Sequence, residues 1–464
     1  MPTGFSGDDN LQKYVLYAVM ITSFIGSMVG SGINVALPSI GREFDAMTGD
    51  LSWVAAAYLF GSAIFNLPLG KAADILGRKR LYKIGIVMFS VTLLIAGFAT
   101  SVDFLMDIRF LQGGLMAMVF GPGMAVLASV FDKKERGRIL GYQTASVYVG
   151  LTCGPALGGL ICEYLGWRWF FFLTGTVAAS GLIFMLRVKE EWYGDRGAPF
   201  DFKGSLCYMI TIPLILYGFS KITDALGIYL FIAGLAALAL FIYVERQSQH
   251  PILDVSLFIG NRVFTCSNLA AMLHYAATFA ISFLVSMYLQ VICGLSATVA
   301  GGIILLQFFM MATLSPKAGA LSDKIDPGIV ASVGMAINSV GLFALSWLHR
   351  DSSLILVGLI LMVIGIGFAL FSSPNNNAIL GACQPKFYGT ASSLLATMRL
   401  IGQAFSMAIV TIVMDVNSVQ SVTGADNDAL LGAIQIIFKI FSIICLFGIL
   451  ASLARKKKEG TASL

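Results

Sequence analysis

The sequence predicts an all-α integral membrane protein of about 14 transmembrane helices. Three observations carry this. Only 12% of its 464 residues are charged, while 57% are apolar, about half the charge of an ordinary soluble chain. The mean hydropathy is +0.84, so a solvated globular surface is excluded, and disorder with it. Finally, the chain divides into continuous apolar windows of the length a bilayer requires, about 20 residues.

Those windows fall near 14–37, 51–70, 81–100, 104–130, 138–161, 167–187, 203–222, 226–244, 264–290, 298–318, 328–348, 353–375, 389–415 and 430–453. The first is too long for a cleaved signal segment, and its exit, Asn34-Val-Ala-Leu-Pro38, is no small-residue cleavage site. Transmembrane strands would alternate in polarity over short stretches, which these runs do not do.

Basic residues set the expected topology. With the N-terminus placed in the cytoplasm, 23 of the 30 Lys and Arg fall in inner segments. Four (Arg42, Arg168, Lys221, Arg350) fall in outer ones, and Arg109, Arg399 and Lys439 lie within spans. A miscount of one span would invert every later loop and destroy this asymmetry. Both termini are therefore expected in the cytoplasm, the chain in the plasma (inner) membrane. The seven cysteines are scattered singly and read as small buried hydrophobes.

The second span ends in Gly70-Lys-Ala-Ala-Asp74-Ile-Leu-Gly77-Arg78-Lys79-Arg80, and the tenth in Gly319-Ala-Leu-Ser-Asp323-Lys324. Glycine, three residues, aspartate, then basic residues recur on the same side. A duplicated six-helix half explains the recurrence, a plan common in secondary transporters. The expected division is a first half over 1–190, a linker with two extra helices over 191–250, and a second half over 251–464 with a basic tail.

At these residues the chain resembles the major facilitator superfamily. The Gly70–Arg80 run is similar to its loop signature after helix 2. Leu105-Met-Asp-Ile-Arg109-Phe-Leu-Gln112-Gly113 looks like its helix 4 arginine motif. Gly150-Leu-Thr-Cys-Gly154-Pro155-Ala-Leu-Gly158-Gly159 looks like the helix 5 signature of antiporters. The span count, Gly166-Trp-Arg-Trp169, and the Glu245-Arg…Pro251-Ile-Leu-Asp…Leu257-Phe258 run resemble the fourteen-helix drug:proton antiporter branch. The resemblance implies alternating access without a cofactor. It also implies an acid in helix 1, five positions before Asn34, but Val29 stands there. Helix 6 carries Thr174-Gly175-Thr176 where the branch usually has Asn-Val-Pro.

Physical reading of the motifs gives three candidate groups. In the first, Gly70 and Gly77 permit close approach and a tight turn, and Asp74 pairs with Arg78. With Lys79 and Asp323 they form an expected conformational latch. In the second, Gly150, Gly154 and Gly158 make a small-residue face, bent at Pro155 and extended by Gly159, suited to a helix 5 gate. The third is an expected substrate and proton pathway of Arg109, Gln112, Asn34, Asp107, His274 and Arg399. Within it, a guanidinium in a span costs at least ~2.5 kcal/mol and therefore faces a cavity or partner. Gln112 shares the Arg109 face at i+3, whereas Asp107 at i+2 points elsewhere. His274 is either a proton relay or a packing residue, and Glu163 is a further acid candidate.

No nucleotide-binding loop occurs, and the three histidines are far apart, so neither ATP hydrolysis nor a metal site is expected. The expected protein is a non-enzymatic secondary transporter, monomeric, with the bilayer and a small molecule as partners and no nucleic acid. Two functions compete. One is proton-coupled efflux of hydrophobic or amphiphilic compounds, as in multidrug resistance. The other is carriage of a metabolite or organic anion without protons.

Overall fold

The computed structural model describes residues 9–46, 48–254, 257–258, 260–417 and 427–455. The basic tail residues Lys456, Lys457 and Lys458 lie outside them. Among the described residues the chain is built of long helices: α1 (Asp9–Phe44), α2 (Thr48–Leu76), α3 (Arg78–Ala96), α4 (Val102–Val130), α5 (Arg136–Tyr164), α6 (Trp167–Leu186), α7 (Phe202–Ser220), α8 (Ala225–Gln247), α9 (Arg262–Thr278), α10 (Ile281–Met287), α11 (Ala297–Ser322), α12 (Pro327–Leu345), α13 (Leu354–Gly381), α14 (Tyr388–Val416) and α15 (Asn427–Leu453).

Among the described residues, thirteen spans are long and apolar enough to cross a membrane. The fourteenth, α3, is 19 residues long but opens on Arg78, Lys79, Arg80 and Lys83, which dilute its apolar stretch. Helix ends follow local chemistry. Ser101 accepts from the Phe104 amide at 3.2 Å, and Asp201 from the Gly204 amide at 2.8 Å. Both satisfy amides that have no partner in the first turn. Gly77 takes φ 109° and Gly166 φ 93°, turns that a side chain would strain, so α2 breaks from α3 and α5 from α6.

The single helix expected over 264–290 is broken. α9 stops at Thr278 and α10 runs for one to two turns before a π-helical turn over Tyr288–Ile292. The break is chemical: the Ala280 amide donates to Ser406 Oγ of α14 at 3.1 Å, not to a carbonyl one turn back.

α1–α6 pack on one another, led by α1 on α5 and α2 on α4. α9–α15 do the same, led by α11 and α12 on α13. The two bundles meet where α5 lies on α11 and α2 on α14. α7 and α8 form a hairpin, with α7 resting on α2 and α14. α8 exposes Ile232, Leu235, Leu240 and Tyr243, the side chains a lipid-facing helix presents.

Candidate functional site: a central cavity and the seal beneath it

A cavity of about 60 Å³ lies between the bundles. α4 lends Phe120 and Met124, α5 Gln143 and Tyr148, α9 Tyr275, α13 Asn376, and α14 Arg399. Its one formally charged lining residue is Arg399, and no carboxylate lines it among the described residues. The Arg399 guanidinium sits 5.6 Å from the Phe120 ring centre and 5.9 Å from that of Tyr275. Its Nε has no protein partner, and neither has Gln143 Oε1. A buried donor and a buried acceptor thus stay open for a ligand.

The loop end below this cavity is sealed by hydrogen bonds between the bundles. Asp74 is 1% exposed. It binds Arg78 Nε at 2.7 Å and accepts from the amides of Gly389 (3.2 Å) and Thr390 (3.0 Å), which open α14. Arg78 also donates to the Pro385 carbonyl at 2.6 Å and to Ser129 Oγ at 2.8 Å. Gly70 is required here: a Cβ on it would run into Ser393 and the Gly389 carbonyl. Lys79 does different work. Its Nζ donates to the carbonyls of Val188 and Lys189, holding the segment after α6.

Asp323 is the second clasp. It accepts from the amides of Gly137 (2.7 Å) and Arg138 (2.9 Å), which open α5. Burial holds its carboxyl above the usual aspartate value of 3.8, against the pull of those donors. Next to it, Arg136 donates to Asn377 Oδ1 and Tyr388 Oη, each at 3.1 Å. By sequence Arg136 falls among the inner-segment cations, yet it is 5% exposed. The signal was Asn375-Asn376-Asn377, three amides at the end of an apolar run.

The structure redistributes the expected pathway residues. Arg109 is fully buried within α1–α6, away from the cavity lining. It donates to Gln112 Oε1 (3.0 Å) and the Val54 carbonyl (3.3 Å) and lies 4.5 Å over the Tyr58 ring. Gln112 passes the contact on to the Thr92 carbonyl at 3.1 Å, so α4 is tied to α2 and α3. Asp107, Glu163 and Asn34 are exposed and line no part of the cavity. His274 is fully buried and stacks on Phe371 with ring centres 3.9 Å apart. Neither of its nitrogens has a hydrogen-bond partner, which is the geometry of packing. Arg399 alone of the six reaches the cavity.

The α5 glycines face the neighbouring helix of their own bundle. A Cβ on Gly150 would strike the Phe24 carbonyl, on Gly154 it would strike Ser31, and on Gly158 it would come 3.1 Å from the Gly32 carbonyl, all on α1. Pro155 is exposed, and Gly159 meets only Val35 at 3.5 Å. The approach of α5 to the other bundle uses Gly137 and Gly141 instead. Cβ atoms there would hit the carbonyls of Gly319 and Ser315 on α11.

Comparisons with known proteins agree with this architecture. The family model described as Major Facilitator Superfamily matches residues 19–407 and 267–463. The multidrug resistance protein Stp of Mycobacterium tuberculosis (strain CDC 1551 / Oshkosh) is 31% identical over 81% of this chain and 71% of its own. The riboflavin transporter RibZ of Clostridioides difficile (strain 630) is 28% identical over 86% of this chain and 87% of its own. Among solved structures, the human organic anion transporter MFSD10 (TETRAN) superposes with a TM-score of 0.67. It covers 96% of this chain and 100% of its own at 17% identity, a likeness of fold. The chain belongs to the major facilitator superfamily and is a multi-pass membrane transporter.

Proposed function

We propose that this major facilitator superfamily member exports small aromatic or amphiphilic compounds, neutral or negatively charged, by alternating access about the central cavity. The observation that carries the reading is the lining: Phe120, Tyr148 and Tyr275 around the unpaired Arg399 Nε and Gln143 Oε1. Aromatic walls accept flat apolar rings, and an unpaired guanidinium rewards a carboxylate, enolate or sulfonate. A cation is repelled by Arg399 and finds no carboxylate among the described lining residues, and Arg399 already occupies the Phe120 and Tyr275 ring faces. The seal closes one face of the cavity, and its breaking and remaking supply the alternation.

In the first reading, export is driven by proton entry. A specific pair of observations favours a second, uncoupled reading for anions: Val29 occupies the helix 1 position, and no acid lines the cavity among the described residues.

Proteoliposomes with an imposed pH gradient test both. Labelled anionic, neutral and cationic aromatic probes are compared at equal concentration. Gradient-dependent uptake of the anionic or neutral probes supports proton-driven export. Uptake of anions that ignores the gradient but responds to membrane potential supports the second reading. Preferential transport of the cationic probe removes the assigned substrate class.

A further inference from the structure

A second, larger cavity of about 490 Å³ opens beside the seal. One wall is the loop that enters α5, with Lys133 and Arg136; the other is the end of the α9–α15 bundle, with Asn377, Asp326 and Arg455. Arg455 decides its chemistry. The side chain is 5% exposed and makes one hydrogen bond, from its NH2 group to Asn375 Oδ1 at 2.7 Å. Its Nε and its other terminal nitrogen, both buried, have no partner among the described residues. An unmatched buried donor costs about 1–3 kcal/mol, more when charged. Holding Arg455 against α12 with two such donors is costly unless an acceptor meets them.

No described residue of the wall meets them. Asp323 is committed to the amides of Gly137 and Arg138, and Asp326 Oδ1 to the Gly328 amide at 2.7 Å. Arg455 lies across that same helix start, its Cδ 3.2 Å from where a Gly328 Cβ would stand. The α12 N-terminus adds its positive dipole end to the guanidinium. Lys133 is exposed at the mouth and adds a mobile ammonium. Burial lowers the Arg455 pKa to about 10, which leaves it cationic at neutral pH. The three cations exceed the two aspartates by one charge, which suits a singly or doubly ionised oxyanion and rejects a metal ion.

We propose that this cavity binds a phosphate group, as a free phosphate ester or as the headgroup of a bilayer lipid. Arg455 supplies the fork and Lys133 the outer contact. Its walls belong to both bundles, so it is complete only while the seal is closed. A bound phosphate therefore favours the sealed state by its differential affinity for the two states. This is a regulatory site apart from the transport cavity, and it does not depend on which compound is exported.

The test uses the full chain, lipid-depleted in maltoside detergent, followed by unfolding temperature and native mass spectrometry. One arm titrates inorganic phosphate. A second titrates dihexanoyl phosphatidylglycerol below its micelle concentration, with phosphate-free dihexanoylglycerol as the control. Saturable one-to-one binding is expected in at least one arm, and the arm that saturates at lower concentration names the source. Arg455→Gln is expected to weaken it about tenfold or more, as for the loss of a charge-assisted pair. Lys133→Gln, at an exposed position that leaves folding intact, is expected to weaken it about threefold to tenfold. A spin-label pair at Lys134 and Lys324 should narrow to the sealed distance as the probe saturates. No saturation in either arm overturns the proposal, as does equal binding of the phosphate-free control. Wild-type affinity in Lys133→Gln overturns it as well, even if Arg455→Gln cannot be purified folded.

Discussion

Asp74 and Asp323 hold reciprocal positions: each sits at the end of a helix in one bundle and caps the start of a helix in the other. Asp74 takes the amides of Gly389 and Thr390 at the head of α14, and Asp323 takes those of Gly137 and Arg138 at the head of α5. Carboxylates at helix N-termini gain from both the unpaired amides and the dipole. The two clasps are not equal in charge. Asp74 has an ion-pair partner in Arg78 at 2.6 Å, whereas Asp323 relies on backbone donors and Asn377.

That inequality predicts different responses to neutralisation. Asp74→Asn leaves Arg78 buried without its counter-ion, which costs the sealed state about 3–5 kcal/mol. A spin-label pair at Arg80 and Lys386 should then report a shift toward the unsealed distance, with transport falling tenfold or more. Asp323→Asn should cost the seal less than about 1 kcal/mol, since its amide oxygen still accepts from one of the two backbone donors and burial already disfavours the charged carboxylate. Equal effects of the two substitutions would contradict the assignment.

The repeat behind this pair was legible because it is local: glycine, three residues and aspartate at two span ends. The span pattern was legible for the same reason, since apolar windows report on lipid directly. What the sequence did not disclose depends on partners far along the chain. Arg136 reads as a loop cation until Asn377 and Tyr388 are placed beside it. Gly150, Gly154 and Gly158 read as the small-residue face of a gate, and only packing shows that α1 fills it. Gly137 and Gly141, which make the approach between bundles, share the same four-residue spacing, but they lie at the charged start of α5, where the spacing does not single out a packing face. Arg109 meets the sequence criteria for a pathway residue, but Tyr58, Gln112 and the Val54 carbonyl hold its guanidinium inside one bundle, away from the cavity, with one terminal nitrogen left without a partner among the described residues.

The two glycine faces of α5 separate stability from gating. Gly150→Ala drives a methyl into the Phe24 carbonyl inside one bundle. Overpacking of this kind costs about 1–3 kcal/mol and should lower the unfolding temperature while leaving the Lys134–Lys324 distance distribution unchanged. Gly137→Ala meets the Gly319 carbonyl across the bundles. It should shift that distribution toward the unsealed state with little loss of thermal stability, because the bundles can move apart to relieve the clash.

Asp323 also sets a pH dependence. Its carboxyl is held above 3.8 by burial in the sealed state, and hydration on opening returns it toward that value. The sealed state therefore binds the proton more tightly. Its extra stability is full below the ordinary aspartate value and fades as pH rises through the raised one. Acidifying the medium on the seal face should increase the sealed fraction in spin-label measurements at Lys134 and Lys324. The increase should be absent in Asp323→Asn, which has no proton to take up; a variant that responds like the parent protein would assign the effect to another group.

Arg399 and Arg109 are the two guanidiniums of the expected pathway, and their environments predict opposite failures. Arg399→Gln keeps a polar side chain at the cavity but removes its positive charge. The KM for an anionic aromatic substrate should rise tenfold or more, the cost of a charge-assisted bond, while a neutral substrate changes little. The unfolding temperature should stay within a few degrees of the parent value. Arg109→Ala empties a fully buried site and leaves Gln112 Oε1 without its donor. It also removes the cation over the Tyr58 ring. An unsatisfied buried group and a void together cost about 3–5 kcal/mol, so loss of folded protein should precede any change in substrate preference. Purified Arg109→Ala with parental thermal stability and a selective loss of anion transport would return that residue to the pathway. Proteoliposome kinetics and thermal unfolding on the same preparations separate the two outcomes.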